Sequence, residues 1–478
     1  MADIRPEVIR LRSRRAAASA LAAAILLTLA GAPVARGVGP GPSPTLAAIQ
    51  VDRLENGLTV VSLALPDPDF IVFATIIRAG ARNETEPGTE GFARLIEHLA
   101  AKEPRQSPRG LDPDLAIRIG AKVTGFAGAD ATIRTIVFGG RENLEDVVRG
   151  EADRIINLEF DPETVRREAA VLAAESETPA ADPDGRLVEV LRRTAFASHP
   201  YGRPELGTRD EILSLPDRIA AGQLFKKRLY TPDNVILLAA GDVVRERLLA
   251  LVRRHYGGWE KSNFEIVVPP EPGADEPRRV RVAWPIPTRA RLAIGFRAPA
   301  FSDREPDHAA LDLLAAAAFS PSSPLFERLV RRDRKALTLD AFVDDRRDPG
   351  LLIVRASAAT EADLPVIEKA ILDEAEHLRA DFITVPALLA ARAGRRHARL
   401  LAMETTEETA AVLAGIIGLT GDPESLGRLS GLYESVGVAE IREAARRFLQ
   451  PAATAILAPG EPPAPAVPDA GAAKEDRP

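Results

Sequence analysis

Arg94, Glu97 and His98 stand in the run Phe92-Ala93-Arg94-Leu95-Ile96-Glu97-His98, where residues 94 and 98 fall one helical turn apart on a common face. If position 94 were a histidine, two imidazoles at i and i+4 would hold a zinc ion, and the glutamate between them would activate its bound water for hydrolysis. Arginine breaks that chemistry, because a guanidinium stays protonated and has no lone pair to offer a metal. Glu175 follows His98 after 76 intervening residues, and Glu168 precedes Glu175 by two helical turns, so both carboxylates share one face of a second helix. Residues 94 and 98 thus have the spacing of a ligand pair with the wrong residue at one end, and taken by itself the Glu97-His98 pair carries almost no catalytic weight.

Composition limits the alternatives. With no cysteine and six histidines in 478 residues, the chain has no disulfide framework, no thiolate metal site and no thiol nucleophile. His199, His255, His308, His377 and His397 bring no matching ligand in sequence to replace the one missing at position 94. The apolar share of 46% and charged share of 27% suit a globular chain of two or three domains. Residues 1–32 carry five arginines, then an apolar run from Ala16 to Leu29 and the small residues Ala30-Gly31-Ala32, the build of a signal peptide. Its removal takes away five arginines against Asp3 and Glu7 and moves the formal charge from −7 to −10. An acidic, exported chain argues against nucleic acid as a partner. No later run reaches the length of a membrane span, and the absence of cysteine points to a bacterial periplasmic or secreted setting.

The site helices are positioned by a duplicated architecture. Tyr230-Thr231-Pro232, the strand Val235 to Leu238 and the turn Ala239-Ala240-Gly241-Asp242 recur 219 residues later as Leu449-Gln450-Pro451, Ala455 to Leu457 and Ala458-Pro459-Gly460-Glu461. The same offset carries Phe73 to Ala79 onto Leu292 to Ala298, each ending in Arg-Ala. The chain therefore divides into a first lobe at 48–262, a Pro- and Glu-rich linker at 263–279, a second lobe at 280–461 and a disordered Pro/Ala-rich tail at 462–478. Periodicity predicts strands over Phe70 to Ala79, Ala121 to Ala127 and Thr132 to Phe138. It predicts helices over Glu90 to Ala101, Glu142 to Asn157, Pro162 to Glu177, Asp184 to Phe196 and Leu215 to Leu229. The fold class is α+β, with helices packed on largely antiparallel sheets. Under the offset, Arg94, Glu97 and His98 map onto Leu313, Ala316 and Ala317, so the second lobe holds no second site.

Leu54-Glu55-Asn56-Gly57-Leu58, Gly91 to His98, His199-Pro200-Tyr201-Gly202-Arg203-Pro204 with Gly207-Thr208, and Asp348-Pro349-Gly350 occur in an order that resembles the M16 peptidase family. That family includes insulin-degrading enzyme, the mitochondrial processing peptidase and bacterial two-lobed homologues, and the resemblance covers essentially the whole mature chain. It implies that Glu97 matches the general base, His98 the second zinc ligand, Glu175 the carboxylate ligand and Glu168 the supporting acid. Arg94 then stands at the first ligand, which leaves two protein ligands where catalytic zinc usually takes three. It also implies a substrate-holding arginine, matched by Arg331, and a tyrosine seven residues later, where this chain has Thr338. The substrate-pairing edge strand corresponds to Thr124-Gly125-Phe126. Arg331 lies in the charge run Arg331 to Lys335, so a solvated role is an equal reading. For Arg94, pairing with Glu97, Glu168 or Glu175 in the metal's electrostatic place and a merely solvated side chain stand as alternatives.

The expected function is that of a non-catalytic M16 subunit, inactive alone, which pairs with a family member bearing an intact zinc motif to enclose peptide or unfolded polypeptide substrates. No cofactor is expected for it. Two alternatives stand beside it: an active but altered zinc metalloendopeptidase, in which zinc would be the cofactor, and a structural or peptide-binding protein.

Overall fold

The computed structural model describes residues 49–65, 70–101, 113–176, 182–273, 276–381 and 383–460. The expected signal peptide and the tail at 462–478 lie outside the described residues. The first half contributes β1 (Ile49–Arg53), β2 (Thr59–Ala64), β3 (Phe70–Ile77), α1 (Phe92–Ala101), α2 (Pro113–Arg118), β4 (Lys122–Ala127), β5 (Thr132–Gly139), α3 (Leu144–Ile156), α4 (Pro162–Ser176), α5 (Pro183–Ala195), α6 (Arg209–Ser214), α7 (Ile219–Leu229), β6 (Val235–Gly241) and α8 (Arg245–Tyr256). The second half contributes β7 (Arg278–Trp284), β8 (Arg291–Arg297), α9 (Pro306–Phe319), α10 (Pro324–Phe326), a π-helical segment Glu327–Arg332, β9 (Ala336–Val343), β10 (Leu351–Ala358), α11 (Leu364–Ala380), α12 (Val385–Leu401), α13 (Thr406–Thr420), α14 (Ser425–Ser435), α15 (Val438–Phe448) and β11 (Pro451–Pro459).

Each half builds one sheet, in the orders β1-β2-β6-β3-β5-β4 and β7-β11-β8-β10-β9. Pairing is antiparallel except for β2 with β6 and its counterpart β7 with β11, which are parallel. Adding 219 to the bounds of β5 gives those of β10, and adding it to α7 gives α15. The α+β, two-lobed, duplicated fold is thus as the sequence implied. Val72, Ala74 and Ile76 face one side of sheet one, and Ile71, Phe73 and Ile77 face the other, so β3 is buried on both faces.

The second covering layer comes from the other half. Helix α5 packs on β7, β8 and β11, seating Leu187, Leu191 and Ala195 against Ala293, Leu351 and Ala455. Its counterpart α13 packs on β3, β5 and β6, seating Leu413, Ala414 and Ile417 against Val61, Val72 and Leu238. The Arg-Ala strand ending shared by the two halves serves the same purpose in both. Arg78, after β3, donates to the carbonyls of Gly418 and Leu419 at the end of α13, at 3.4 and 3.2 Å. Arg297, ending β8, donates to the Ala195 carbonyl at the end of α5, at 2.8 Å. Each arginine thereby satisfies orphan carbonyls and meets the negative end of a helix dipole. Gly421, at φ +73°, closes α13 where a Cβ would stand 2.6 Å from Arg78 Nη1.

The family words His199 to Pro204 and Asp348-Pro349-Gly350 meet where the halves join. Asp348 accepts from Arg82 Nη2 at 2.9 Å and from His199 Nε2 at 3.0 Å, while Tyr201 donates to Asp130 at 2.7 Å. Arg346 reaches back to Glu205 at 2.8 Å, and Arg192 to Asp344 at 2.6 Å. The linker carries neither helix nor strand at its described positions before β7, yet it is tied down: Glu271 accepts the N–H groups of Ala197, Ser198 and His199 at 2.8 to 3.0 Å. Pro306–Arg332 has the length and apolarity of a membrane span, but over half of its most apolar window is buried inside the second lobe, as in a core helix.

Candidate functional site

Helix α1 lies between α4 and the edge strand β4. Its start is fixed by the buried Glu84, whose carboxylate accepts the N–H groups of Gly91 and Ala93, both at 2.8 Å. Phe92, Leu95, Ile96 and Leu99 enter the core, which turns the remaining stripe of Arg94, Glu97 and His98 toward α4 and β4. Facing them, Val165, Ala169, Leu172 and Ala173 anchor α4 so that Glu168 and Glu175 project back.

The five residues singled out in sequence form one cluster. Arg94 Nη1 donates to Glu97 Oε2 at 2.8 Å, and Nη2 reaches Glu175 Oε2 at 3.3 Å. The His98 ring sits between carboxylates, with Nδ1 3.5 Å from Glu168 Oε2 and Nε2 3.6 Å from Glu175 Oε2. Of the two accounts of Arg94, the geometry is that of the paired cation: its side chain is only 14% exposed and bridges two acids. Glu168 faces His98 and not Arg94. The adjacent imidazole of His98, together with Arg94, holds the Glu175 carboxyl below its usual range against partial burial.

Whether zinc fits can be tested on these donors. His98 Nε2 and Glu175 face one another closely enough to share an ion, but the third corner is a guanidinium. Among the described residues, no group of three or more His, Cys, Asp or Glu is arranged to hold a metal. The residues present therefore do not fit a catalytic zinc, which takes three protein ligands and a water.

Two contributors to the cluster were not assigned to it in sequence: Gly125, named there only for the edge strand, and Arg134. A Cβ on Gly125 would stand 2.0 Å from Glu97 Oε1, so Glu97 occupies the space a side chain on the edge strand would need. Behind it, Arg134 on β5 pairs in register with Gly125 and reaches the buried Glu151 at 3.3 Å. Burial and the neighbouring Arg154 push Arg134 down to about 10. Arg134 shares a strand face with Thr132, Ile136 and Phe138, and a charge on a largely buried face is the signal that would have marked it. Replacing Gly125 with alanine is expected to dislodge the Glu97 carboxylate and cost about 1–2 kcal/mol, visible as a lower urea midpoint. An unchanged midpoint would show that Glu97 swings away freely.

Of the other predicted contacts, the edge strand lies beside the cluster, whereas Arg331 and Thr338 bond to other residues. Strand β4 is one of the two edges of sheet one, with Thr124 and Gly125 exposed and Phe126 half-buried. Thr338 lies exposed on β9, one of the two edges of sheet two, where its hydroxyl bonds Ser357 at 2.6 Å. Arg331 is 61% exposed and pairs with Glu327 at 2.9 Å in the π-helical segment, as a solvated charge does. Neither residue makes a hydrogen bond or ion pair with the site cluster.

Residues 59–209 match the family described as insulinase (peptidase family M16), and residues 223–394 match the domain described as the peptidase M16 inactive domain. The chain belongs to the M16 peptidase family. Zinc protease PqqE of Helicobacter pylori is 25% identical over 376 residues, covering 76% of this chain and 81% of the relative. The mitochondrial-processing peptidase subunit beta of Neurospora crassa is 28% identical over 225 residues, covering 47% of this chain and 46% of that one. The crystal structure of a protease from Helicobacter pylori superimposes with a TM-score of 0.77 at 23% identity, covering 87% of this chain and all of that one, a likeness of fold. Where the M16 resemblance places the first histidine of the zinc motif, this member carries Arg94.

Proposed function

We propose that this chain is an exported, non-catalytic M16 subunit that pairs with a zinc-bearing member of the family and helps enclose peptide substrates. The observation that carries the reading is Arg94, which stands at a ligand position and is held there by Glu97 and Glu175. A cation fixed in that way takes up the general base and one of the two remaining ligands together. The name of the Neurospora relative, a subunit of a processing peptidase, supports a life in pairs. The free edges β4 and β9 support a peptide-holding role, since an extended substrate can add to an unpaired strand through its main chain. The leader-like residues 1–32 support a periplasmic or secreted location in a bacterium.

The test is peptide cleavage by the purified chain, with zinc and with a chelator, alone and after mixing with an M16 chain that has an intact His-x-x-Glu-His. The expected result is no turnover alone and a complex, seen by sizing with light scattering, in which turnover depends on the partner's zinc. Chelator-sensitive cleavage by this chain alone, abolished in Glu97→Gln, would overturn the reading in favour of an altered metalloendopeptidase. Failure to form the complex, with peptide still bound, would favour a stand-alone peptide-binding protein.

A further inference from the structure

We propose that Arg94 and Gly125 together form a lock, in which the tethered guanidinium serves as the resident cation of the site and the missing side chain makes room for the carboxylate it holds. The inference deepens the reading above and shares its premise that the unaltered chain carries no zinc.

Three observations converge. Glu97, Glu168 and Glu175 bring three carboxylates around one imidazole, and without a cation they would repel in a largely buried space. Arg94 supplies that cation from within the chain and spans two of the acids with separate nitrogens, a fork that a point charge cannot imitate. Glu97 is drawn toward Arg94 with its other oxygen over the backbone of Gly125, where a Cβ would stand at 2.0 Å. The guanidinium and the glycine therefore act on one carboxylate from opposite sides. The cation is covalent and needs no loading, so the site keeps its balance of charge at any zinc concentration. His98 and Glu175 still face each other at 3.6 Å, so the rest of the ligand set is retained behind the lock.

The experiment compares the full mature chain with Arg94→His, Arg94→Lys, Arg94→Met and Gly125→Ala, measuring zinc per chain after dialysis against buffered zinc and thermal midpoints with and without chelator. The unaltered chain is expected to hold no zinc and to melt at the same temperature in both buffers. Arg94→Met keeps an unbranched apolar stem but neither the reach nor the charge of arginine, and is expected to melt about 3–6 °C lower. Arg94→Lys, which restores a charge on a longer stem but not the fork, should recover only part of that loss. Arg94→His is expected to bind one zinc and to be stabilised by it, the gain vanishing with chelator. Gly125→Ala combined with Arg94→Met should lose less than the two single losses added, because both act through Glu97.

Zinc on the unaltered chain, an Arg94→Met variant as stable as the parent, or a folded Arg94→His variant that stays metal-free would each overturn the lock. The two readings fail separately. Peptide turnover by a metal-free parent whose Arg94→Met variant is destabilised sinks the non-catalytic function and leaves the lock. An inert parent indifferent to Arg94→Met does the reverse.

Discussion

Replacing Glu151 with alanine is expected to be among the most damaging single changes in the first lobe, at about 3–5 kcal/mol. Glu151 on α3 is 1% exposed and accepts from Arg154, with Nε at 2.9 Å, from Arg134 Nε at 3.3 Å and from Thr75 at 3.4 Å. Burial alone would raise its pKa, but Arg154 and Arg134 outweigh burial and leave it lowered. Its removal strands two buried guanidinium groups, one of which also donates to the Ala100 carbonyl at the end of α1, at 3.1 Å. The damage should therefore spread to the helix that carries Arg94, Glu97 and His98. Guanidinium unfolding would show a lower midpoint, and Glu151→Gln, which keeps the shape without the charge, should fall between. A loss below about 1 kcal/mol would mean that water reaches both arginines and the network is not closed.

Asp348→Asn should weaken the junction of the lobes, with a pH signature. Burial would raise the pKa of Asp348, but hydrogen bonds from His199 and Arg82 outweigh it and hold the carboxyl well below its usual range. A carboxylate depressed by folding lends stability above its unfolded pKa, near 3.8, and loses it as pH falls further. The cost of Asp348→Asn is therefore expected to be about 1–3 kcal/mol at pH 7 and to shrink below about pH 4. Denaturant curves at about pH 7 and about pH 3.5 check this, and a pH-independent cost would assign the effect to packing. Because Asp348 also donates its backbone N–H to Tyr201 Oη at 3.1 Å, the substitution leaves that link in place and isolates the charge.

The offset of 219 residues was legible because two strand patterns agreed on it, and it carries over to elements never used to find it, such as β10 and α15. Helical spacing places residues 94, 97 and 98, and 168 and 175, on faces without any knowledge of the fold, but that the two faces belong to one site was implied by the resemblance to the M16 family. Periodicity reports that a helix has an apolar face, but not which sheet that face meets. The exchange of α5 and α13 was invisible for that reason. Spacing likewise ranks Gly125 as one small residue in an edge strand. Its meaning lies in Glu97 approaching from another element. Arg94 was legible as a departure, while its choice of Glu97 and Glu175 over Glu168 depended on the crossing of α1 and α4.

The exchanged helices set an order of events during synthesis. Sheet one has all its strands once Gly241 has been made, but the helix that covers Val61, Leu63, Val72 and Ala74 ends at Thr420. A nascent chain must therefore carry an open apolar surface through most of its second half, and the amino-terminal half cannot mature first as independent domains do. Each half is the other's last folding step. A cut in the linker would yield two fragments that are aggregation-prone apart and regain native structure only when refolded together.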